Sequence, residues 1–521
     1  MRGAVAAGHP LTAQAGARML EQGGNAVDAC VAAGFASWVT ESPLTGPGAG
    51  GFMLVHRARD RSDRLLDFFV AIPGRGLDGG SEAPMDEIEV PFDEHTTQIF
   101  RIGAPSCAVP GAVAGLGEAH RLYGRLPWSD LIAPAAQLAR RGIEMNPEQA
   151  FLHSILDVAL RADGEGRRIY GARRALRAGE RLVMKDLAQT LDLLASEGAE
   201  AFYRGPLARV ISKAVRERGG LLSEADLASY RVIRRRPLRV PYAGHDFVTN
   251  PPPSSGGVLI AFALRVLDRI GSPRPPGSLE AVAALAEVMR EATLARGSGF
   301  LRGLFRGGLA DRLLDDAALE AAARRARTRG GAVTREPAGA PSTTHISVVD
   351  ADGNAASLSA STGCGSGVIV PGTGIQLNNM LGESDLNPGE RRVSPGRRLT
   401  SMMAPSIVLA GSRPRLVVGS AGSIRLRAAI LQIVVNAVAH RLPADEAIAA
   451  PRVHLEGEQL NLEGGIEPEV ADALDERGYD VVRWSDRNLY FGGASAVAVT
   501  SAGELEAAGD PRRGGAGVIV E

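Results

Sequence analysis

Cysteine is scarce in this chain of 521 residues: Cys30, Cys107 and Cys364 stand far apart. An odd, sparse set provides neither a disulfide framework nor a zinc-ligand spacing. It fits a reducing compartment. Lysine is scarcer still, with Lys185 and Lys213 alone among 58 basic residues, a bias of composition rather than a binding signal. The formal net charge is −1, so no global field draws the chain to nucleic acid or to an anionic membrane. Aromatics make up 4%, so the core must rest on Ala, Val, Leu and Ile. No apolar run reaches the roughly 18 residues of a membrane helix. The segment Met1–Pro10 lacks the apolar stretch of a secretory leader, so a cytoplasmic location is expected. The nine histidines show no metal-ligand spacing, and neither a metal nor a cofactor is expected. A G-x-S-x-G elbow is also missing, which disfavours a serine hydrolase of that type.

What is present describes an ordinary globular protein, with 45% hydrophobic and 22% charged residues. The length allows about three domains or two large intertwined segments. With 64 glycines and 31 prolines, tight turns and close backbone approaches are expected. Leu11 to Gln22 has helical spacing and stops at Gly23-Gly24. Asn25 caps a second helix to about Val39, apolar almost all round and therefore buried. Gly50-Gly51 leads into a strand at Phe52–Val55. Further helices are expected over Pro110–Tyr123, Pro127–Arg141, Leu182–Ser196, Val258–Leu267 and Ser423–Ala439. Thr344–Val349 and Ala355–Ser359 read as strands of a hairpin around Asp350-Ala351-Asp352-Gly353-Asn354. Strands are also expected at Leu416–Gly419, Ala494–Thr500 and Gly517–Val520.

Several motifs are weaker than they look. Gly46-Pro47-Gly48-Ala49-Gly50-Gly51 fits G-x-G-x-x-G, but a helix precedes it and a strand follows, the reverse of a dinucleotide site. It reads as a loop packed close to another backbone. Asp350, Asp352 and Asn354 begin like a calcium loop but lack its later glycine and glutamate, so they read as a turn. Cys364 between two glycines reads as a small buried residue. Arg324, Arg325, Arg327 and Arg329 read as a solvated helix end, running into a linker that ends at Pro337–Pro341.

Thr343-Thr344 directly follows that linker. A threonine pair at a strand start is commonly just β-propensity. The position admits a second role. A hydroxyl at such a junction can attack the preceding carbonyl, pass through an ester and release itself as a new N-terminus. A free N-terminal threonine holds nucleophile and base together, because its α-amine has a reference pKa of about 7.7–8.0. No distant histidine is then needed.

Taken together, the motifs resemble the γ-glutamyltransferase family of N-terminal-nucleophile hydrolases over nearly the whole chain. The residues carrying the resemblance are Gly23–Ala29, Gly50–Met53, Pro110–Gly115, Pro251–Gly257, Thr343–Asp350, Gly374, Leu377–Asn379 and Gly509–Arg512. The resemblance implies an α/β fold, an αββα sandwich formed by both halves of a self-cleaved precursor. It implies cleavage between Ser342 and Thr343, giving a large subunit of residues 1–342 and a small subunit of residues 343–521 that stay associated. A dimer of such heterodimers is allowed. Thr343 would be the nucleophile and Ser361 would stand where the family has a threonine that hydrogen-bonds it. The N–H groups of Gly422 and Ser423 would face the oxyanion. The second glycine of the family's loop is Ser423 here, tolerable for a backbone role if its φ is negative. Its ordinary alternative is a helix N-cap. Thr400, Ser401 and Glu383 would help to hold the acyl group.

Against that pattern stand two further departures, beyond Ser361 and Ser423. Phe69 takes the place of the arginine that holds the glutamyl α-carboxylate, and Met380 replaces a polar residue. The leading expectation is a γ-glutamyltransferase-like enzyme acting on glutathione-type amides. The alternative is an amidohydrolase of the same family for another acyl group. A third, non-enzymatic reading is an unprocessed chain serving as a binding module. Small-molecule or short-peptide amides are the expected partners, without nucleic acid or membrane.

Overall fold

The computed structural model describes residues 1–77, 83–91, 97–328, 343–384, 386 and 394–521. Ser342 and Arg329 lie outside the described residues, as does the linker up to Pro341.

Two antiparallel sheets stack face to face. The first has seven strands, ordered Ala516–Val520, Gly3–Ala7, Thr344–Asp350, Ala355–Ser361, Gly50–Arg57, Ser62–Phe68 and Ile233–Arg235. The second has six, ordered Leu505–Gly509, Gly493–Val499, Arg413–Ala421, Ser406–Ala410, His245–Thr249 and Leu238–Tyr242. Both sheets mix strands from before and after residue 343, so neither half completes either of them alone.

Alternation along the first sheet explains the layers. Val5 and Ala7 turn to a core shared with the helices Pro10–Glu21 and Ala26–Thr40. Ala4 and Ala6 turn to the second sheet and its helices, Gly256–Ile270, Leu279–Leu294 and Leu426–Val434. Helices therefore cover the outer faces and the sheets meet in the middle, the expected αββα sandwich.

Local chemistry explains the ends. Asn25 forms a capping box with Asp28, and every residue of Ala26–Thr40 is buried. Asp350 closes the 350–354 turn by accepting from Asn354 and Asp352, and its other oxygen accepts from Ala26 N–H at 2.9 Å. The glycine loop packs as expected: a Cβ on Gly48 would lie 2.1 Å from the Gln376 carbonyl oxygen, and one on Gly51 2.3 Å from that of Ser359.

Three expectations are revised. Arg181–Leu182 pairs as a short strand with Ile143–Glu144, so the next helix begins at Lys185. The segment expected as one helix from Ser423 begins as a 3₁₀ turn, Ser423–Arg425, becomes α-helical over Leu426–Val434 and ends in a π-helical turn, Val435–Ala439. The basic helix end is only partly a solvated face. Arg325 donates from Nε and Nη2 to the buried Glu291, pinning the helix Asp316–Thr328 to its neighbour.

Candidate active site

Strand register assembles the site at one end of the first sheet. Thr344 pairs with Ala360, Ser361 with Gly50, and Gly51 with Phe68. Thr343, Ser361, Gly50 and Phe69 therefore stand in a row across neighbouring strands. Gly50 leaves room for this, because a Cβ there would meet the Val70 nitrogen at 2.7 Å. From the facing sheet, the strand Arg413–Ala421 ends at the Gly422–Ser423 turn.

These ends surround a cleft with about 340 Å³ of empty space. Thr343, Ser361, Ser423, Glu383 and Ser401 line it, so five of the sequence-expected side chains converge. Ser361 Oγ also accepts from the Gly363 N–H at 2.9 Å, which fixes its loop. Thr400 departs from expectation. It is not among the cleft-lining residues, and its hydroxyl donates to the Pro253 carbonyl at 2.8 Å, so it braces the proline loop. Ser401 Oγ faces the cleft while accepting from the Met403 N–H at 3.1 Å.

The Gly422–Ser423 turn carries a correction. Ser423 has φ of 53°, not the negative value expected, and Gly422 has φ of 123°. The turn needs left-handed backbone at both positions, which explains why glycine suits them. Nor is Ser423 a cap: it lies inside the 3₁₀ turn, with Gly422 before it.

The other end of the cleft is apolar. Phe69 and Met380 line it as expected, joined by Leu386, Met402, Met403 and Leu426. Phe69 is held by stacking on Phe52, with ring centroids 5.4 Å apart, and by its N–H donating to Asp67 at 3.0 Å. No arginine is among the described residues that line this cleft. Nearby Arg398 pairs instead with Asp67 and lies over the Tyr230 ring at 4.4 Å.

Two groups behind Thr343 were missed in the sequence. Arg513 Nη1 donates to the Thr343 carbonyl at 3.1 Å. It directly follows the Gly509–Arg512 motif, whose Asp510 and Arg512 are tied into buried ion pairs with Arg452 and Glu463. That motif therefore aims Arg513. Glu41 accepts from Thr344 Oγ1 at 2.6 Å and from Thr12 Oγ1 at 3.2 Å. Burial pushes its carboxyl up to about 7, opposed by those hydroxyls and by the charge of Arg513. An acidic residue directly after the largely apolar helix Ala26–Thr40 was the available signal. His345, next in the strand, is buried among the hydroxyls of Ser347 and Ser359, and burial lowers it to about 3. It is a neutral strut rather than a catalytic base.

A threonine at the head of a central strand, facing an oxyanion turn across an αββα sandwich, defines the class of N-terminal-nucleophile hydrolases. The gamma-glutamyltranspeptidase family profile matches residues 12–520, and the chain belongs to that family. Among curated relatives, the acylase ACY 1 proenzyme of a Pseudomonas species is 37% identical, covering 100% of this chain and 94% of that protein. The glutathione hydrolase proenzyme of Pseudomonas aeruginosa is 32% identical, covering 100% and 95%. Among solved structures, cephalosporin acylase from Bacillus halodurans superposes with a TM-score of 0.85 at 27% identity, covering 100% of this chain and 96% of that one. The chain is thus an enzyme of a family that includes both acylases and glutathione hydrolases.

Proposed function

We propose that this protein is a self-cleaving amidohydrolase that removes an apolar acyl group from an amide through an acyl-Thr343 ester. Cleavage between Ser342 and Thr343 yields residues 1–342 and 343–521, which stay associated because each sheet needs strands from both. The freed α-amine of Thr343 takes the proton from Oγ1, which attacks the amide carbonyl. The N–H groups of Gly422 and Ser423 receive the developing oxyanion, each donor being worth roughly 3–4 kcal/mol. Ser361 positions the nucleophile. The α-ammonium then gives that proton to the substrate nitrogen, the C–N bond breaks and the amine leaves, and water attacks the ester by the same route.

The observation that supports an apolar acyl group is the wall of Phe69, Met380, Met402, Met403 and Leu426, with Glu383 as its acidic member. A carboxylate placed there lacks the bidentate partner an arginine would supply, and meets an acidic side chain instead. The test is kcat/KM for matched anilides with and without an α-carboxylate, on the cleaved protein. Preference for the carboxylate-free compound is expected. A strong preference for the γ-glutamyl anilide would overturn this reading. It would favour the second one, glutathione-type amides, which draws on Ser401 and Glu383 standing in the cleft.

A further inference from the structure

Arg513 and Glu41 reach the head of the strand Thr344–Asp350 from behind, and neither takes part in the reaction steps above. Glycines let both in. A Cβ on Gly493 would lie 2.3 Å from Arg513 Cδ, and one on Gly8 would lie 2.3 Å from Glu41 Oε2. A larger residue at either position would collide with the side chain that passes it. Arg513 is 3% exposed and spends a donor on the Thr343 carbonyl, 3.1 Å away. Burial lowers it to about 10, so it is a cation at neutral pH. A buried charge is costly, and a neutral amide could serve a carbonyl at smaller cost. The charge therefore asks for a use.

The α-amine that cleavage frees supplies one. Within one residue the nitrogen and the carbonyl oxygen are three bonds apart, so the Thr343 nitrogen lies within about 7 Å of the guanidinium. At that range a like charge disfavours an ammonium. We propose that Arg513 is a positioning residue for Thr343, fixing its carbonyl while its charge keeps the freed α-amine neutral and able to take the Oγ1 proton. Glu41 is the counterweight. It holds Thr344 Oγ1 at 2.6 Å, and its carboxylate, once ionised, offsets part of the Arg513 charge. Of the other ionisable groups, Glu383 lines the cleft in front of Thr343. Asp510, Arg425 and Arg452 act on Arg513 from behind, with Arg452 and Asp510 paired at 2.7 Å. His345 is neutral. All of these stay the same when Arg513 or Glu41 alone is changed. The inference rests on the α-amine being the base of the proposed reaction.

Residues 343–521 contain no lysine, so after cleavage Thr343 carries the only amine of that fragment. The experiment follows the acetylation rate of the fragment against pH by mass spectrometry, beside the pH profile of kcat/KM for an anilide. The wild-type amine should titrate below its reference of about 7.7–8.0. Arg513→Gln, which keeps a donor without the charge, should raise both midpoints by about one pH unit. Arg513→Lys, which keeps the charge, should return them toward the wild-type values. Glu41→Gln should move them the opposite way, by less. Should Arg513→Gln not fold or cleave, the Glu41→Gln shift decides alone. Midpoints that stay in place while kcat falls would mean a merely structural role and overturn the proposal. Shifts of the same sign in Arg513→Gln and Glu41→Gln would overturn it too. Wild-type turnover that survives complete acetylation of Thr343 would overturn the amine as base, and this inference with it; an acetylation-sensitive enzyme with unshifted variants overturns the inference alone.

Discussion

At one end of the cleft stand Thr343, Ser361 and the Gly422–Ser423 turn, each at the end of a central strand. At the other stand Phe69, Met380, Leu386, Met402 and Met403, of which only Phe69 directly follows a sheet strand. The first end is placed by register. A one-residue slip there would turn every neighbouring side chain to the wrong face, so its chemistry is hard to change without losing the fold. The second end comes mainly from loops, where a side chain can be exchanged at small cost to the scaffold. The two ends of the cleft therefore differ in how readily they can change.

The comparison breaks most sharply at Thr343. Thr343→Ala should leave the chain intact by mass spectrometry and lower amide turnover by roughly 10⁴-fold or more, as removal of a nucleophile does. A Thr343→Ala chain that still splits after residue 342 would show that another protease is responsible.

Phe69→Arg tests the other end. It should raise kcat/KM for a γ-glutamyl anilide by roughly tenfold to 150-fold, the worth of one charge-assisted contact. The guanidinium must first displace the stack on Phe52, and Thr400 is already engaged with Pro253, so the lower figure is the expected one. Self-cleavage should be unaffected. If cleavage fails as well, the two ends are not separable.

What was legible in the sequence follows the same division. The 350–354 hairpin, the Asn25 cap and the close-packed glycine loop rest on local chemistry, and all are observed. Phe69 and Met380 could be placed because they sit in motifs. Leu386, Met402 and Met403 could not, because they meet only once distant loops converge. The positive φ of Ser423 was also hidden: side-chain identity argued against it, and the meeting of strand and helix imposed it. Thr400 was misplaced for a related reason, since a hydroxyl can brace a neighbouring loop as readily as face a ligand.

A smaller effect is expected at Glu41, behind Thr343. Its folded carboxyl is raised from 4.5 to about 7, chiefly by burial. Between those values the folded state holds a proton that the unfolded state has lost. Stability should therefore fall as pH rises from about 4.5 to about 7 and stay lower above it. Glu41→Gln removes the titration and retains an acceptor for Thr344 and Thr12. Its melting temperature should vary less across this window, by roughly 3 degrees in a chain of this size. A wild-type midpoint that is flat or rising there would contradict the burial argument.

The smallest effect is expected at Ser423, where the Thr343 end of the cleft carries serine in place of the family's glycine. A left-handed backbone costs an L-residue roughly 1–2 kcal/mol, and glycine avoids it. Ser423→Gly relieves that strain but gives the unfolded chain more freedom, which offsets part of the gain. The net should be a stabilisation of about 0.5 kcal/mol, measured by denaturant unfolding of the cleaved protein. If Ser423 serves only through its N–H, kcat should stay within a few-fold, because the donor is still present and its backbone is more at ease. A loss near the 10²–10³ of a missing oxyanion donor would instead assign the work to the hydroxyl. In that case serine at this position is not a tolerated exception to glycine but a working polar group, and the Thr343 end of the cleft would owe part of its chemistry to the Ser423 side chain.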